Sequence, residues 1–196
     1  MRRVGTALAA AAILAACRDA DRAQPTPPNP TVPAAADPYA PSVLVAPFRA
    51  RVPEHPARLG GAASADALLA SYVRAVAARD TATLGALALT VSEFAWLYYL
   101  DSPMAQKPYE LDPETMWAQI AAQSGRGLTR VLQRYGGAAL GTARSACGAP
   151  RAAGALRLLD CTVTFRPAGA RDDASLRLAV VERDGRYKLV GFGTNL

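Results

Sequence analysis

The middle of the chain repeats apolar residues with the period of an α-helix. Ser64 and Asp66 precede one such segment, and the pattern predicts a capped helix that ends near Arg79. Asp80, followed by Thr81, predicts the cap of a short second helix. The apolar positions of these two helices are Leu68, Leu69, Tyr72, Val73, Val76, Ala77, Leu84 and Leu87.

Two further helical segments follow before residue 137. Ser92 is expected to begin a helix with Phe94, Leu97 and Tyr98 on one side, and Pro103 to end it. The sequence 112–114 places aspartate at a cap and proline at the first helical position, which predicts another helix start. We expect that helix to continue through residues 125–135 and to stop at Gly136-Gly137.

The pattern changes after Gly137 to short runs rich in Leu, Val, Thr and Phe, separated by Gly, Pro and Asp. Asp184-Gly185 indicates a two-residue hairpin turn, because both positions of that turn need positive backbone angles. We therefore predict an α+β domain over residues 62–196, with N-terminal helices packed on a four-stranded antiparallel sheet. The strands are expected near residues 138–146, 156–166, 174–183 and 186–193.

Residues 17–61 differ in composition, being rich in Pro, Ala and Asp. Dense proline blocks helix and sheet hydrogen bonding, so we predict an extended, flexible tether. The apolar run 43–48 leaves two alternatives open, docking on the domain or a partner, or a partly ordered linker. His55, the only histidine of the chain, lies between two prolines of this segment, and no catalytic role is expected for it.

The N-terminus carries Arg2 and Arg3, then a short apolar segment, then Leu14-Ala15-Ala16-Cys17. The apolar run is too short for a membrane span. The four-residue motif resembles the lipobox of bacterial lipoproteins. This resemblance implies that residues 1–16 are a removed signal peptide and that Cys17 carries acyl chains such as palmitate. Because Arg18 follows the cysteine, the resemblance implies the periplasmic face of the outer membrane.

The full chain has a formal charge of +6, which falls to +4 once Arg2 and Arg3 are removed with the signal. This mild excess favours anionic surfaces, but arginine-rich composition also accompanies GC-rich genomes. The chain lacks clustered basic residues interleaved with aromatics, so we expect no nucleic-acid partner. A single histidine and scattered carboxylates predict no metal or other cofactor.

Cys147 and Cys161 remain once Cys17 is acylated. In an oxidising compartment an even pair of cysteines indicates a disulfide, here between neighbouring strands. A bridge that closes a loop of this size contributes roughly 3 kcal/mol in the chain-entropy model.

The helix 67–80, the short helix after it and the closing hairpin 184–192 resemble the NTF2-like group of cystatin-like α+β domains. The resemblance implies a cone-shaped sheet around a pocket. Members of the group include isomerases, dehydratases, small-ligand binders and protein-binding modules. The block 90–135 also resembles segments of uncharacterised bacterial lipoproteins, which implies no activity.

The candidate site is the aromatic and acidic stretch 93–117. Aromatic side chains line pockets well, so we predict ligand contacts there, with core packing as the alternative. If the domain is catalytic, a carboxylate would abstract a proton and a tyrosine would stabilise the enolate. The predicted ligand-binding residues are Trp96, Tyr98, Tyr109 and Trp117. The candidate catalytic residues are Glu93, Tyr99 and Asp101.

Three arginines, Arg126, Arg130 and Arg134, recur every four residues and therefore lie on one helix face. We call them the arginine face. They suit an anionic ligand, a lipid headgroup or a partner, with a solvated surface as the alternative.

These observations together predict a membrane-anchored envelope lipoprotein whose domain binds a small apolar ligand or an envelope protein without catalysis. One alternative is a small NTF2-like isomerase or dehydratase that uses the acidic and aromatic residues. The other is a pocketless accessory subunit of an envelope complex. The depth of any cavity, and whether it holds a carboxylate, distinguishes the three.

Overall fold

The structure, a computed structural model, describes residues 37–52 and 54–192. Within these ranges five α-helices precede a C-terminal antiparallel sheet, and the helices pack against that sheet. The predicted α+β class is therefore confirmed. The sheet is open and has five strands, one more than expected.

The helices begin where the sequence places capping side chains. Ser64, Asp80 and Asp112 each accept a hydrogen bond from a backbone N–H of the first turn, as predicted. Arg79 ends the second helix in a left-handed conformation. The helices are α1 Pro41–Ala50, α2 Ala65–Ala78, α3 Thr81–Leu87, α4 Val91–Glu93 and α5 Pro113–Tyr135.

The segment after α3 differs from the predicted single helix. Thr90, not Ser92, is the cap, because Thr90 and Glu93 form a reciprocal capping box. A π-helix, Phe94–Tyr98, follows α4, and two 3₁₀ turns follow it, Tyr99–Asp101 and Pro103–Ala105. Pro103 therefore begins a turn, in which its fixed φ is favourable, instead of only ending a helix.

The strands run in the order β1, β3, β4, β5, and β2 also pairs with β3. The first strand is shorter than the predicted 138–146, because Gly141 has a positive φ of 62° and interrupts extended backbone within that range. The hairpin at Asp184-Gly185 is confirmed, with φ values of 53° and 72°. The strands are β1 Arg144–Cys147, β2 Arg151–Ala153, β3 Leu156–Phe165, β4 Ala174–Arg183 and β5 Arg186–Gly191.

Both faces of the sheet bury side chains, because successive residues of a strand point to opposite sides. Val163 and Phe165 of β3 face a first core that includes residues of α2, α3 and the C-terminal half of α5. Leu156 of β3 and Val181 of β4 face a second core formed with α1, the π-helix and the start of α5. The sheet thus separates two hydrophobic clusters, and α5 contributes to both.

The structure differs from the predicted domain boundary at residue 61. Pro41–Ala50 is helical, and Val45 and Phe48 are buried in the second core. Leu59 is also buried there. The apolar run 43–48 therefore docks on the domain, because burial of its side chains outweighs the local effect of the prolines around it. The rest of the predicted tether, residues 17–36, lies outside the described residues.

The disulfide between Cys147 and Cys161 is present, as predicted. It joins directly opposed residues of β1 and β3, whose Cα atoms are 4.0 Å apart. None of the helices in the described ranges is long and apolar enough to cross a bilayer. The predicted signal peptide and lipobox lie outside those ranges.

Candidate functional site

Glu93, a candidate acid, is one half of a buried ion pair. Its Oε2 lies 2.7 Å from the Lys188 Nζ, and both side chains are 5% exposed. Its carboxylate also accepts hydrogen bonds from the backbone N–H groups of Gly60 and Thr90. Lys188 in turn donates to the carbonyl oxygen of Ala88. The carboxylate therefore ties α4 to β5 and to the segment before α2.

The environment of Glu93 keeps its carboxylate charged. Burial raises its pKa, but the Lys188 ammonium and the N–H donors of Thr90 and Gly60 outweigh burial and lower the pKa overall. A general base needs a carboxylate that can reach substrate and exchange protons near neutral pH. Glu93 has neither property, so its arrangement is that of a structural ion pair.

Asp101 and Tyr99 also have partners within the fold. The Asp101 Oδ2 lies 3.0 Å from the Arg183 Nη1, which links the 3₁₀ turn to the end of β4. Gly154 lies against this carboxylate, since a Cβ built there would be 2.0 Å from the Asp101 Oδ1. Tyr99 is fully buried, and its hydroxyl donates to the carbonyl oxygen of Leu111. Burial raises the pKa of Tyr99.

The aromatic stretch packs around Phe94, which is fully buried in the second core. The rings of Phe48, Tyr98, Tyr99 and Trp117 lie with their centroids 5.2 to 6.0 Å from that of Phe94. Tyr109 stands apart and is 61% exposed. Of the four predicted ligand-binding residues, Tyr98 and Trp117 therefore belong to this aromatic packing, and Tyr109 is a surface residue.

Trp96 is partly exposed and makes a contact that the sequence did not reveal. The His55 ring stacks on it with centroids 3.9 Å apart, and the Arg49 guanidinium lies 4.5 Å from its centroid. Arg49 also donates to the carbonyl oxygen of Ala95. His55 therefore holds the segment before α2 against the π-helix. The prolines around His55 in the sequence did not indicate this packing role.

The three cavities described next are lined by none of the predicted aromatic or acidic residues. The first is a groove of about 230 Å³ between α2 and β1. Its apolar floor includes Leu69 and Val163, both 1% exposed, with Val73 beside them. Arg74, Arg144 and Ser145 also line it. We call it the α2–β1 groove.

The two arginines of the α2–β1 groove differ in their charge balance. Arg144 is paired with Asp173 at 3.1 Å. Arg74 donates to the Ser71 hydroxyl, and among the described residues no carboxylate lies within ion-pair distance of it. The groove therefore combines a buried apolar floor with one unneutralised guanidinium.

The arginine face is divided between the other two cavities. Arg126 and Arg130 line a surface groove of about 520 Å³ with Gly125 and Thr129. Arg134 instead lines a groove of about 570 Å³ that also holds Asp172 and Asp173. The structure therefore brings Arg126 and Arg130 together and leaves Arg134 near acidic groups.

Sequence reasoning missed Arg74 and the α2–β1 groove. The helical pattern shows that Leu69 and Val73 face inward, but it cannot show that β1 lies beside this part of α2 and forms a groove with it. Within the described ranges, no group of three or more His, Cys, Asp or Glu side chains could hold a metal ion.

No protein-family model, curated protein or solved structure matches the chain.

Proposed function

We propose that the chain is a lipid-anchored envelope protein whose domain binds a small ligand without performing chemistry. The observation that carries this proposal is the α2–β1 groove, because its floor is apolar and its lining includes Arg74, which has no acidic partner within the part of the chain that the structure describes. Such a site suits a short apolar chain that ends in a carboxylate or phosphate. The volume of about 230 Å³ lies below the usual range for drug-sized ligands, which favours a short chain.

The arrangement of the candidate acids supports binding over catalysis. Glu93 and Asp101 are each held by a basic side chain, and Tyr99 donates to a backbone carbonyl. An isomerase or dehydratase mechanism would need a carboxylate that faces a cavity. The groove is lined by no Asp or Glu, so the enzyme alternative has less support.

The first test fills the groove. Ala70 is exposed on α2 and lines the groove, so Ala70→Trp should occupy its volume without disturbing the core. We expect isothermal titration with octanoate, a short fatty acid, to show at least about a ten-fold weaker affinity, since a filled groove loses its apolar contacts. Arg74→Gln should weaken binding of the same probe about five-fold by removing the charged partner of the carboxylate.

Ala67→Trp is the matched control, because Ala67 is exposed on the same helix and does not line the groove. This variant should bind the probe like the original chain. Equal thermal melts of all variants establish that each is folded. If Ala70→Trp binds the probe as tightly as Ala67→Trp, the groove is not the binding site.

A second test addresses the anchor implied by Leu14-Ala15-Ala16-Cys17. The thiol is the attachment point of the acyl chains, so Cys17→Ala should abolish metabolic labelling with palmitate. Several acyl chains hold a protein on a membrane almost irreversibly, so the variant should also move from the membrane to the soluble fraction. Retained labelling in Cys17→Ala would contradict the lipoprotein assignment.

A further inference from the structure

We propose that the arginine face, centred on Arg126 and Arg130, lies against the anionic phospholipid headgroups of the membrane that holds the anchor. This inference rests on the proposed lipid anchor. It adds a second, electrostatic contact that orients the domain on the bilayer.

The charge distribution along α5 is the first argument. Glu114 is the only acidic residue of the helix, and the arginine face occupies its C-terminal half. Among the described residues, none of these three arginines lies within ion-pair distance of a carboxylate. Six other arginines do have such a partner, namely Arg51, Arg144, Arg151, Arg157, Arg166 and Arg183.

The geometry of Arg126 and Arg130 suits phosphate groups. Residues four apart on a helix advance by about 6 Å, so the two side chains leave the same face of α5. The Arg130 Nε donates to the carbonyl oxygen of Arg126 at 3.4 Å, which brings the two side chains close to each other on that face. Both are exposed, and the groove between them is otherwise lined by the small residues Gly125 and Thr129. A Cβ built on Gly125 would meet nothing within 4 Å, so the space beside this residue of the groove is open.

The chain length permits this contact. Arg51, just after α1, pairs with Glu114 at the start of α5. Arg126 lies about 18 Å further along the helix, given the rise per residue. The nineteen residues 18–36 can span at most about 65 Å. Helix α1, which lies between the end of this segment and Arg51, has ten residues and is about 15 Å long. The anchor therefore leaves enough chain for the arginine face to reach the headgroups.

Arg134 contributes less than the other two members of the face. It shares its groove with Asp172 and Asp173. It also lies in the last turn of α5, where a cation interacts favourably with the helix dipole. The proposal therefore concentrates on Arg126 and Arg130.

The first experiment maps arginine reactivity on the native lipidated chain. The protein is reconstituted into vesicles of phosphatidylcholine alone or with about 30% phosphatidylglycerol. It is then treated with an arginine-specific dicarbonyl reagent and analysed by mass spectrometry. Arg126 and Arg130 should be protected several-fold only in the anionic vesicles, and high salt should remove the protection. Arg177, exposed on β4, is the internal control and should react equally in both vesicles.

Equal reactivity of Arg126 and Arg130 in the two vesicles would overturn the proposal, as would equal protection of Arg177. Protection by inorganic phosphate without vesicles, to the same extent, would also overturn it, because the face would then be a small-anion site.

A second experiment separates this contact from the anchor. The chain from residue 17 with Cys17→Ala carries no acyl group, so its binding to the anionic vesicles reports the arginine face alone. Arg126→Gln combined with Arg130→Gln should weaken that binding about 25-fold, at roughly five-fold for each arginine near an anionic surface. Arg177→Gln should leave it unchanged, and an equal loss in this control would overturn the proposal. If instead the native chain fails to float with phosphatidylcholine vesicles, the anchor has failed and not the arginine face.

Discussion

Replacing Lys188 by methionine should lower the free energy of unfolding by about 3–5 kcal/mol at neutral pH. Methionine keeps much of the side-chain volume but leaves the Glu93 carboxylate buried without its cation. The cost is that of an unpaired buried charge, and it exceeds what a lost surface ion pair would cost. Thermal denaturation should show a fall in Tm on the order of 10 °C.

The matched control is Lys107→Met, at the other lysine of the chain. Lys107 is 81% exposed and lies 3.8 Å from Glu110, so its loss should change stability by less than about 0.5 kcal/mol. Equal melting temperatures for Lys188→Met and Lys107→Met would contradict the structural role of the Glu93–Lys188 pair.

The pH dependence of this effect follows from the lowered pKa of Glu93. In the original chain the ionised carboxylate is stabilised, and that contribution is lost as the pH falls through the folded-state pKa. In Lys188→Met the ammonium no longer offsets the free-energy cost of burying the charged Glu93 carboxylate. Protonation of Glu93 removes most of that cost, because a neutral carboxylic acid is buried more easily than a charged one. The stability difference between the two proteins should therefore narrow as the pH falls from about 7 towards about 4.

Phe94→Ala should cost about 3–5 kcal/mol, because it opens a cavity at the centre of the second core. Phe94 is fully buried and has four aromatic neighbours, so the surrounding rings can collapse only partly. Urea denaturation gives the loss directly as a lower midpoint with an unchanged slope.

Two further variants of the same stretch show whether the loss of stability depends on burial of the aromatic side chain. Trp96→Ala should cost less than Phe94→Ala, because Trp96 is partly exposed and lies against Arg49 and His55. Tyr109→Ala should cost less than about 0.5 kcal/mol, since its side chain is mostly in solvent. Similar losses in all three variants would mean that the stretch does not pack as described.

Local signals predicted much of the fold. Caps at Ser64, Asp80 and Asp112 and the hairpin at Asp184-Gly185 depend on hydrogen bonds within a few residues, so the sequence itself carries them. The burial of α1 depends on Phe48 meeting Phe94, which is 46 residues away along the chain. Proline content argued for an extended tether there, and a contact across that distance outweighed it.

In the candidate site, too, local features were predicted from the sequence and contacts between distant residues were not. The spacing of Arg126 and Arg130 placed them correctly on one helix face. The partners of Glu93 and Asp101, which are Lys188 and Arg183, lie more than 80 residues away in sequence. Residue type alone therefore could not distinguish a catalytic carboxylate from one that holds two parts of the fold together. The α2–β1 groove likewise depends on where β1 begins, which was the strand boundary predicted least well.

Helix α5 connects the two hydrophobic cores, because it buries side chains in both of them. Met116 near its start is buried in the second core, and Val131 and Tyr135 near its end are buried in the first. Between them Gly127 lies against the Phe192 backbone so closely that a Cβ there would be 1.5 Å from the carbonyl oxygen. We therefore expect the two clusters to unfold together, because losing either one removes contacts that hold α5 in place. Force applied to the arginine end of α5 would then be opposed by the packing of both clusters.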